Sequence, residues 1–311
     1  MTCWVTGGNG FIGRNLIRLL ADQGRAVHGI GHGLIDDAEC ARLGLRSWVN
    51  GEIEAANLDI LAKRSGLPAA IFHLAGGSSV GLSIAQPLED FSRTVVGTAR
   101  LLEWLRRSAP DCRMVVASSA AVYGAHHDGP ISEDAETLPM SPYGHHKLMM
   151  EQLCRSFAVS YGLRSTVVRL FSVYGRGLRK QLLWDMGLRL KGGERPLMLG
   201  GTGTELRDWV HVRDAARLLA ALAELPQQDG FRAINGGSSA GTTVAEIART
   251  FVDGWGGDGG IEVRFSGVGR VGDPFSLVAD ATRLQSLPFS FEIPLREGIA
   301  DYAKWLKDQP A

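Results

Sequence analysis

The chain has 311 residues, 45% hydrophobic and 21% charged, a balance that excludes a disordered polymer and suffices for one large α/β domain or a main domain with a smaller lobe. Its 33 basic residues are matched by 33 acidic ones, so no global field favours nucleic acid or an anionic membrane surface, and an anionic ligand must be held by local groups. No apolar run reaches the roughly 18 residues of a spanning helix, Met1 leads into a strand pattern rather than a signal core, and Cys3, Cys40, Cys112 and Cys154 form no CxxC pair, so the expectation is a cytoplasmic protein with neither metal site nor disulfide framework.

Residues 2–6 read as a short buried strand running straight into Gly7-Gly8-Asn9-Gly10-Phe11-Ile12-Gly13, after which Phe11, Ile12, Leu16, Leu19 and Leu20 mark one face of a helix that stops at Gly24. Strand, glycine turn and helix in this order form a phosphate cradle. Gly7 supplies unusual backbone angles, Gly10 lets the main chain approach a diphosphate, and Gly13 lets the helix pack closely on the strand. A second strand at 26–30 ends in Gly31-His32-Gly33, where an acid would take the ribose hydroxyls of NAD. Gly31 removes that barrier to NADP, and Arg14 and His32 stand near by, so NAD and NADP both remain open. A third strand is expected over 48–53, with Glu52 and Ile53 at its end, and a fourth over 70–74, followed by Ala75, Gly76 and a hydroxyl at Ser78.

A long amphipathic helix is expected over 88–106 and a further strand over 113–117, leading into Ser118-Ser119-Ala120-Ala121. The helix expected over 143–161 offers Tyr143 and Lys147 one turn apart, a phenol and an ammonium on one face. A lone YxxxK is common on helices. It gains weight here from the hydroxyl strand end before it and the dinucleotide-type turn at the N-terminus. His145 and His146 within it read as surface or packing residues. A strand over 164–171 completes a doubly wound, largely parallel sheet of Rossmann type. The later pieces, with helices at 181–191, 214–225, 244–255 and 295–307, look too short and irregular for a second core and suggest a smaller interleaved lobe.

With these motifs in place, the sequence resembles the extended short-chain dehydrogenase/reductase family, in particular its NAD(P)-dependent nucleotide-sugar epimerases, reductases and dehydratases. The resemblance rests on residues 6–13, on 118–124, on Tyr143-x-x-x-Lys147, on Arg169-Leu-Phe-Ser-Val-Tyr-Gly175, on Arg207-Asp-Trp-Val-His-Val-x-x-Asp214 and on Arg270-x-Gly-Asp273. It implies that Gly7, Gly10 and Gly13 hold the cofactor diphosphate, with Glu52 and Ile53 beside the adenine and Ala75 and Gly76 lining the cleft; Phe11 and Ile12 in the turn and His32 after the second strand are further candidate cofactor contacts. It makes Ser119 the catalytic hydroxyl, Tyr143 the acid and base and Lys147 its partner, both also touching cofactor. Ser78, Ser119, Ser172, Arg207, Arg270 and Asp273 would meet a nucleoside-diphosphate sugar.

By the same resemblance, residues 1–171 form the dinucleotide-binding domain, with 206–235 returning to it, and 172–205 and 236–311 form the nucleotide-sugar lobe. The helices at 88–106 and 143–161 would pair in a homodimer. Ala120 and Ala121 stand where 4,6-dehydratases carry an Asp-Glu pair, and alanine supplies neither acid nor base. Ser172 and Thr94 stand where many relatives carry asparagine. The leading expectation is a 4-epimerase acting through a 4-keto intermediate. An NADPH-dependent 4-ketoreductase of a nucleotide deoxysugar is the alternative, and a non-catalytic dinucleotide-binding sensor stands behind both.

Overall fold

The computed structural model describes residues 1–225, 230–256, 260–269 and 274–310. β1 (Thr2–Thr6) is buried over nearly its whole length, as a strand covered on both faces must be, and runs through the glycine turn into α1 (Phe11–Asp22). β2 (Ala26–Gly31) is followed by α2 (Asp37–Leu43), which the Asp36 carboxylate opens by accepting from the Glu39 amide at 2.7 Å and Gly44 closes in the left-handed region. Because α2 ends at Gly44, β3 (Leu45–Asn50) starts before the expected position 48, and Glu52 and Ile53 fall in the turn after it. α2 is too short and polar to show a helical period in the sequence. α3 (Ala55–Ser65) and β4 (Ala70–His73) follow.

After a short α4 (Val80–Ala85), the long helix expected over 88–106 runs from 87 to 108 in three consecutive segments, α5 (Pro87–Phe91), a five-residue π turn at Ser92–Val96 and α6 (Gly97–Ser108). Pro87 has no amide hydrogen to donate and suits the first position of α5. β5 (Arg113–Ser119), a 3-10 turn at Ala120–Val122, α7 (Pro142–Tyr161) and β6 (Arg164–Leu170) continue the alternation. Ser141 caps α7 by accepting from the Gly144 amide at 3.2 Å, and Gly162 ends it in the left-handed region. Beyond β6 come β7 (Ser172–Tyr174), α8 (Gln181–Lys191), β8 (Leu197–Leu199), β9 (Leu206–His211), α9 (Val212–Glu224) and β10 (Phe231–Gly236). The chain closes with β11 (Gly241–Thr243), α10 (Val244–Trp255), β12 (Val263–Phe265), β13 (Ser276–Leu277), α11 (Thr282–Gln285) and α12 (Leu295–Lys307).

One seven-stranded sheet has the order β10-β6-β5-β4-β1-β2-β3, with parallel pairing from β3 across to β6. This is the Rossmann-type doubly wound sheet. The strand order reverses between β1 and β4, which opens a crevice beyond their C-terminal ends, the place where such sheets take ligands. Two compact units emerge: Met1–Gly124, Glu133–Leu170 and Ala215–Asn235 in the first, Ala125–Ser132, Phe171–Asp214 and Gly236–Ala311 in the second.

In the first unit Trp4, Leu58, Ile71, Leu101, Leu102, Val116 and Met150 share one core, where each fully buried leucine contributes about 1.5–3 kcal/mol. The indoles of Trp4 and Trp104 donate to Ser65 Oγ and Asp59 Oδ1, both at 2.8 Å, so their burial leaves no donor unsatisfied. In the second unit β9 pairs with β7, β11 and β13, and β8 pairs with β12. The pieces expected to be too short for a core bury Phe251, Trp255, Ile299, Tyr302 and Leu306 on α10 and α12. Gly187 on α8 sits so close to Leu306 that a Cβ there would lie 2.1 Å from its Cδ2.

Candidate active site

The glycine turn is shaped by atoms that are not there. Gly7 has φ of 67°, and a Cβ on it would lie 2.8 Å from the Ala75 nitrogen, across the crevice at the end of β4. A Cβ on Gly13 would lie 2.5 Å from the Gly7 carbonyl oxygen, so Gly13 packs on the turn itself rather than on the strand. Gly10 is the N-cap of α1 and brings no side chain, so no side-chain cap serves the first-turn amides of Phe11, Ile12 and Gly13, which have no acceptor within the helix. A diphosphate is the ligand that such a cradle fits.

The ribose edge is more crowded than the sequence suggests. Arg14 donates from Nη2 to Asn9 Oδ1 at 2.7 Å and pairs through Nη1 with Glu39 on α2, which also takes Arg42. His32 Nε2 lies 3.1 Å from Glu52 Oε1. Both basic side chains expected near a second phosphate thus already face carboxylates. Trp48 covers Gly29 and Gly31, where added Cβ atoms would come within 2.8 and 3.2 Å of its ring, and its Nε1 donates to Gly33 O at 2.9 Å. Ile53 is buried in the core, and only Glu52 of that pair presents its side chain to solvent.

A chain of hydrogen bonds ties β1 to the loop after β4, and its direction can be worked out. Thr98 Oγ1 donates to Thr94 O at 2.6 Å, so it must accept from His73 Nε2, 2.9 Å away. Nδ1 of the same ring then accepts from Thr6 Oγ1 at 2.8 Å, and Thr6 Oγ1 accepts in turn from the Leu74 and Ala75 amides, each at 3.2 Å. His73 is therefore neutral with its proton on Nε2. Burial, with the Lys147 ammonium adding to it, holds its pKa down at about 3. Thr94, in the π turn, accepts from the Gly77 amide at 2.7 Å, and a Cβ on Gly76 would lie 3.1 Å from its Oγ1 and 3.6 Å from Lys147 Nζ. Ser78 lies exposed in this loop.

Ser119, Tyr143 and Lys147 come together at the end of β5. Ser119 Oγ accepts from the Ala121 amide at 3.2 Å and shares a hydrogen bond with the Tyr143 phenol. Lys147 is buried, donates to Ala117 O at 3.0 Å and holds its ammonium 5.8 Å from the centre of the Tyr143 ring. Burial pushes the Tyr143 phenol up, the Ser119 hydrogen bond pulls it down, and the Asp90 carboxylate adds to the rise. The protein alone therefore leaves the phenol protonated near neutrality. Ala120 is buried in the 3-10 turn that follows, and neither it nor Ala121 carries an ionisable group.

Sequence reasoning missed the charged network behind this site. Ser118 Oγ donates to Glu151 Oε1 at 2.6 Å, and Arg169 grips Glu151 through Nε and Nη2, the latter at 2.8 Å, while Nη1 donates to Tyr123 Oη at 3.0 Å. Burial works against the Arg169 charge, but the Glu151 carboxylate more than offsets it and holds the guanidinium protonated. The signal was present in the sequence: Glu151 lies four residues after Lys147, on the same helical face.

Ser172, on β7, and Arg207, on β9, belong to the second unit. Arg207 Nη1 donates to Leu206 O at 2.8 Å, and its neighbour Asp208 is buried, accepting from Ser238 N, Ser238 Oγ and Ser239 N at 2.7–2.9 Å. Arg270 and Asp273 lie outside the described residues. Among the described residues there is no His/Cys/Asp/Glu group fit for a metal and no helix long and apolar enough to cross a membrane.

Comparison with known proteins agrees with this geometry. Residues 3–237 match the sequence model of the NAD dependent epimerase/dehydratase family. The UDP-glucose 4-epimerase of Azospirillum brasilense is 34% identical over 302 residues, covering 90% of this chain and 84% of that protein. That of Erwinia amylovora is 30% identical over 342 residues, covering 100% and 99%. Among solved structures, MoeE5 in complex with UDP-glucuronic acid and NAD superposes with a TM-score of 0.83 at 33% identity, over 98% of each chain. The Thermotoga maritima UDP-glucose 4-epimerase with UDP-glucose gives 0.85 at 26% identity, again over 98% of each. With three quarters of its length matched by the family model and relatives at 30% and 34% identity over at least 90% of it, the chain belongs to the NAD-dependent epimerase/dehydratase family of extended short-chain dehydrogenase/reductases.

Proposed function

We propose that this protein is a nucleotide-sugar 4-epimerase that holds NAD and acts on a UDP-hexose. The observation that carries the reading is the Ser119–Tyr143–Lys147 group at the end of β5, followed by Ala120 and Ala121, where no acid or base could serve an elimination. The glycine turn fits a dinucleotide diphosphate, and the pairing of Arg14 with Glu39 and of His32 with Glu52 disfavours a further phosphate on the ribose. Relatives named UDP-glucose 4-epimerase, and MoeE5 with its UDP-sugars and NAD, support the substrate class.

Bound NAD supplies the hydride acceptor and donor of the reaction. The chain's own part is proton traffic and orientation. As the phenolate, which the Lys147 ammonium and the positive charge of an oxidised nicotinamide would favour, Tyr143 Oη takes the proton of the C4 hydroxyl as that carbon is oxidised and returns it when the 4-keto sugar is reduced on its other face, so the net change is inversion at C4. Ser119 Oγ hydrogen-bonds the same oxygen. Lys147 opposes the upward push of burial and Asp90 on the phenol by placing a fixed positive charge beside it. Arg207, Arg270 and Asp273 would hold the diphosphate and nucleoside, with Ser78 and Ser172 nearer the sugar.

The test is interconversion of UDP-glucose and UDP-galactose, with UDP-N-acetylhexosamines and UDP-hexuronic acids alongside, on protein shown to contain NAD. No interconversion of any of these would overturn the proposal. Gly31 favours a second reading, a 4-ketoreductase, which net NADPH oxidation by a 4-keto sugar nucleotide would establish instead. A homodimer through α6 and α7 is part of the proposal, and solution mass tests it.

A further inference from the structure

One buried ionisable pair beside the reacting groups takes no part in the steps above. Asp90 on α5 and His146 on α7 meet at 2.5 Å, Oδ2 to Nδ1, nearly sealed from solvent. The Phe91 ring packs edge-on against the imidazole, with centroids 5.5 Å apart. The other carboxylate oxygen, Oδ1, fills the place where residue 77 would carry a Cβ, 1.8 Å from it, so the carboxylate can seat there only against glycine. Asp90 thus joins the loop after β4 to α7, one residue before Lys147 and three after Tyr143.

This pair does not serve to close the helix end. Ser141 caps α7, and Ser83 on α4 accepts from the Tyr143 amide at 3.0 Å. A carboxylate hydrogen-bonded to an imidazole costs more to bury than two apolar side chains of the same size, so its presence here asks for a reason beyond stability. The reason lies in what surrounds it. Tyr143 and Lys147 occupy adjoining positions on the same helix, and the Asp90 charge acts on the Tyr143 phenol in the direction that keeps it protonated. Among the elements packed on this turn, α4 carries no ionisable side chain, α5 only Glu89 besides Asp90, and the π turn only Arg93, which pairs with Glu89 at the surface. His73 behind them is neutral, and His145 on α7 is exposed.

We propose that Asp90 and His146 are positioning residues for Tyr143: the pair fixes the first turn of α7, with Tyr143 and Lys147 on it, to the loop after β4, and seals the Asp90 carboxylate in beside that turn. This rests on Tyr143 being the acid and base of the reaction. His146 orients Asp90 and holds the helix turn; Asp90 supplies the field.

Two measurements on NAD-loaded protein test it. The first needs no sugar: the ionisation of Tyr143 is followed by ultraviolet difference absorbance against Tyr143→Phe as pH rises. Asp90→Asn keeps the shape and removes the charge, and its midpoint is expected about half a unit to one unit below wild type. An unshifted or raised midpoint overturns the proposal. The second uses UDP-glucose. His146→Ala is expected to lower kcat about 10- to 100-fold at nearly unchanged KM, and His146→Gln to recover much of it. A changed KM with kcat intact, or loss that tracks only the folded fraction measured by thermal unfolding, overturns it. If His146→Ala does not fold, His146→Gln and Asp90→Asn carry the test. Full activity in Tyr143→Phe would instead sink the assignment of Tyr143, an outcome separate from the Asp90→Asn titration.

Discussion

At the end of β1 the chain is shaped by glycines whose absent side chains let Ala75, Gly7 and α1 crowd together, whereas at the end of β5 it is shaped by side chains held by other side chains. On the first edge, form and function are the same thing: any Cβ at Gly13 meets backbone, and the cradle deforms. On the second they separate, because Tyr143 can lose its oxygen while Lys147, His146 and Ser83 keep their places. The His73 chain leads from the first edge, at Thr6 on β1, to Thr94 in the π turn, which in turn holds the Gly77 amide in the loop after β4.

Tyr143→Phe should lower kcat by about a thousandfold, within the usual range for losing a general acid and base, with NAD content and thermal unfolding unchanged. A loss of NAD content would show that the edges are not separable. The His73 chain predicts an acid-sensitive fold. His73 has its pKa lowered from 6.5 to about 3, so the unfolded chain binds the extra proton first, and stability present above pH 6.5 is lost as pH falls toward 3. The contribution is about 5 kcal/mol, and denaturant titrations across that window should show a slope that His73→Asn flattens. Gly13→Ala should cost about 1–3 kcal/mol, since its Cβ must push the Gly7 carbonyl, and here NAD content should fall together with stability. The smallest effect belongs to Glu39→Gln, which frees Arg14 from its carboxylate. It should raise affinity for NADP relative to NAD by about threefold to tenfold, measured by competition.

Much of this site was legible because its chemistry is local in sequence. The glycine turn sits within seven residues, and Tyr143 and Lys147 are four apart, so spacing alone placed them. What stayed hidden depends on contacts between distant segments. Asp90 and His146 are 56 positions apart, and a histidine inside a helix has no sequence mark that distinguishes an exposed ring, as at 145, from one locked to a carboxylate. Arg14 reads as a free cation near a phosphate until Glu39, 25 positions on, is seen beside it. The helix over 88–106 is legible because its apolar positions persist through the π turn, which itself leaves no mark in the pattern, and the short α2 shows no period at all.

The π turn at Ser92–Val96 makes the spacing between Asp90 and Leu101 a fixed length. One extra residue wound into a helix shifts everything after it by about 100° of rotation, because a regular turn holds about 3.6 residues. Upstream of the turn the helical segment presents Asp90 to Gly77 and His146; downstream it presents Leu101, Leu102 and Leu105 to the core. Removing a single residue from the five would restore an even winding and force a choice between these two faces. Apart from Thr94, whose hydroxyl holds the Gly77 amide, the count in that segment constrains more than its composition: a deletion would be harder to accommodate than most substitutions there.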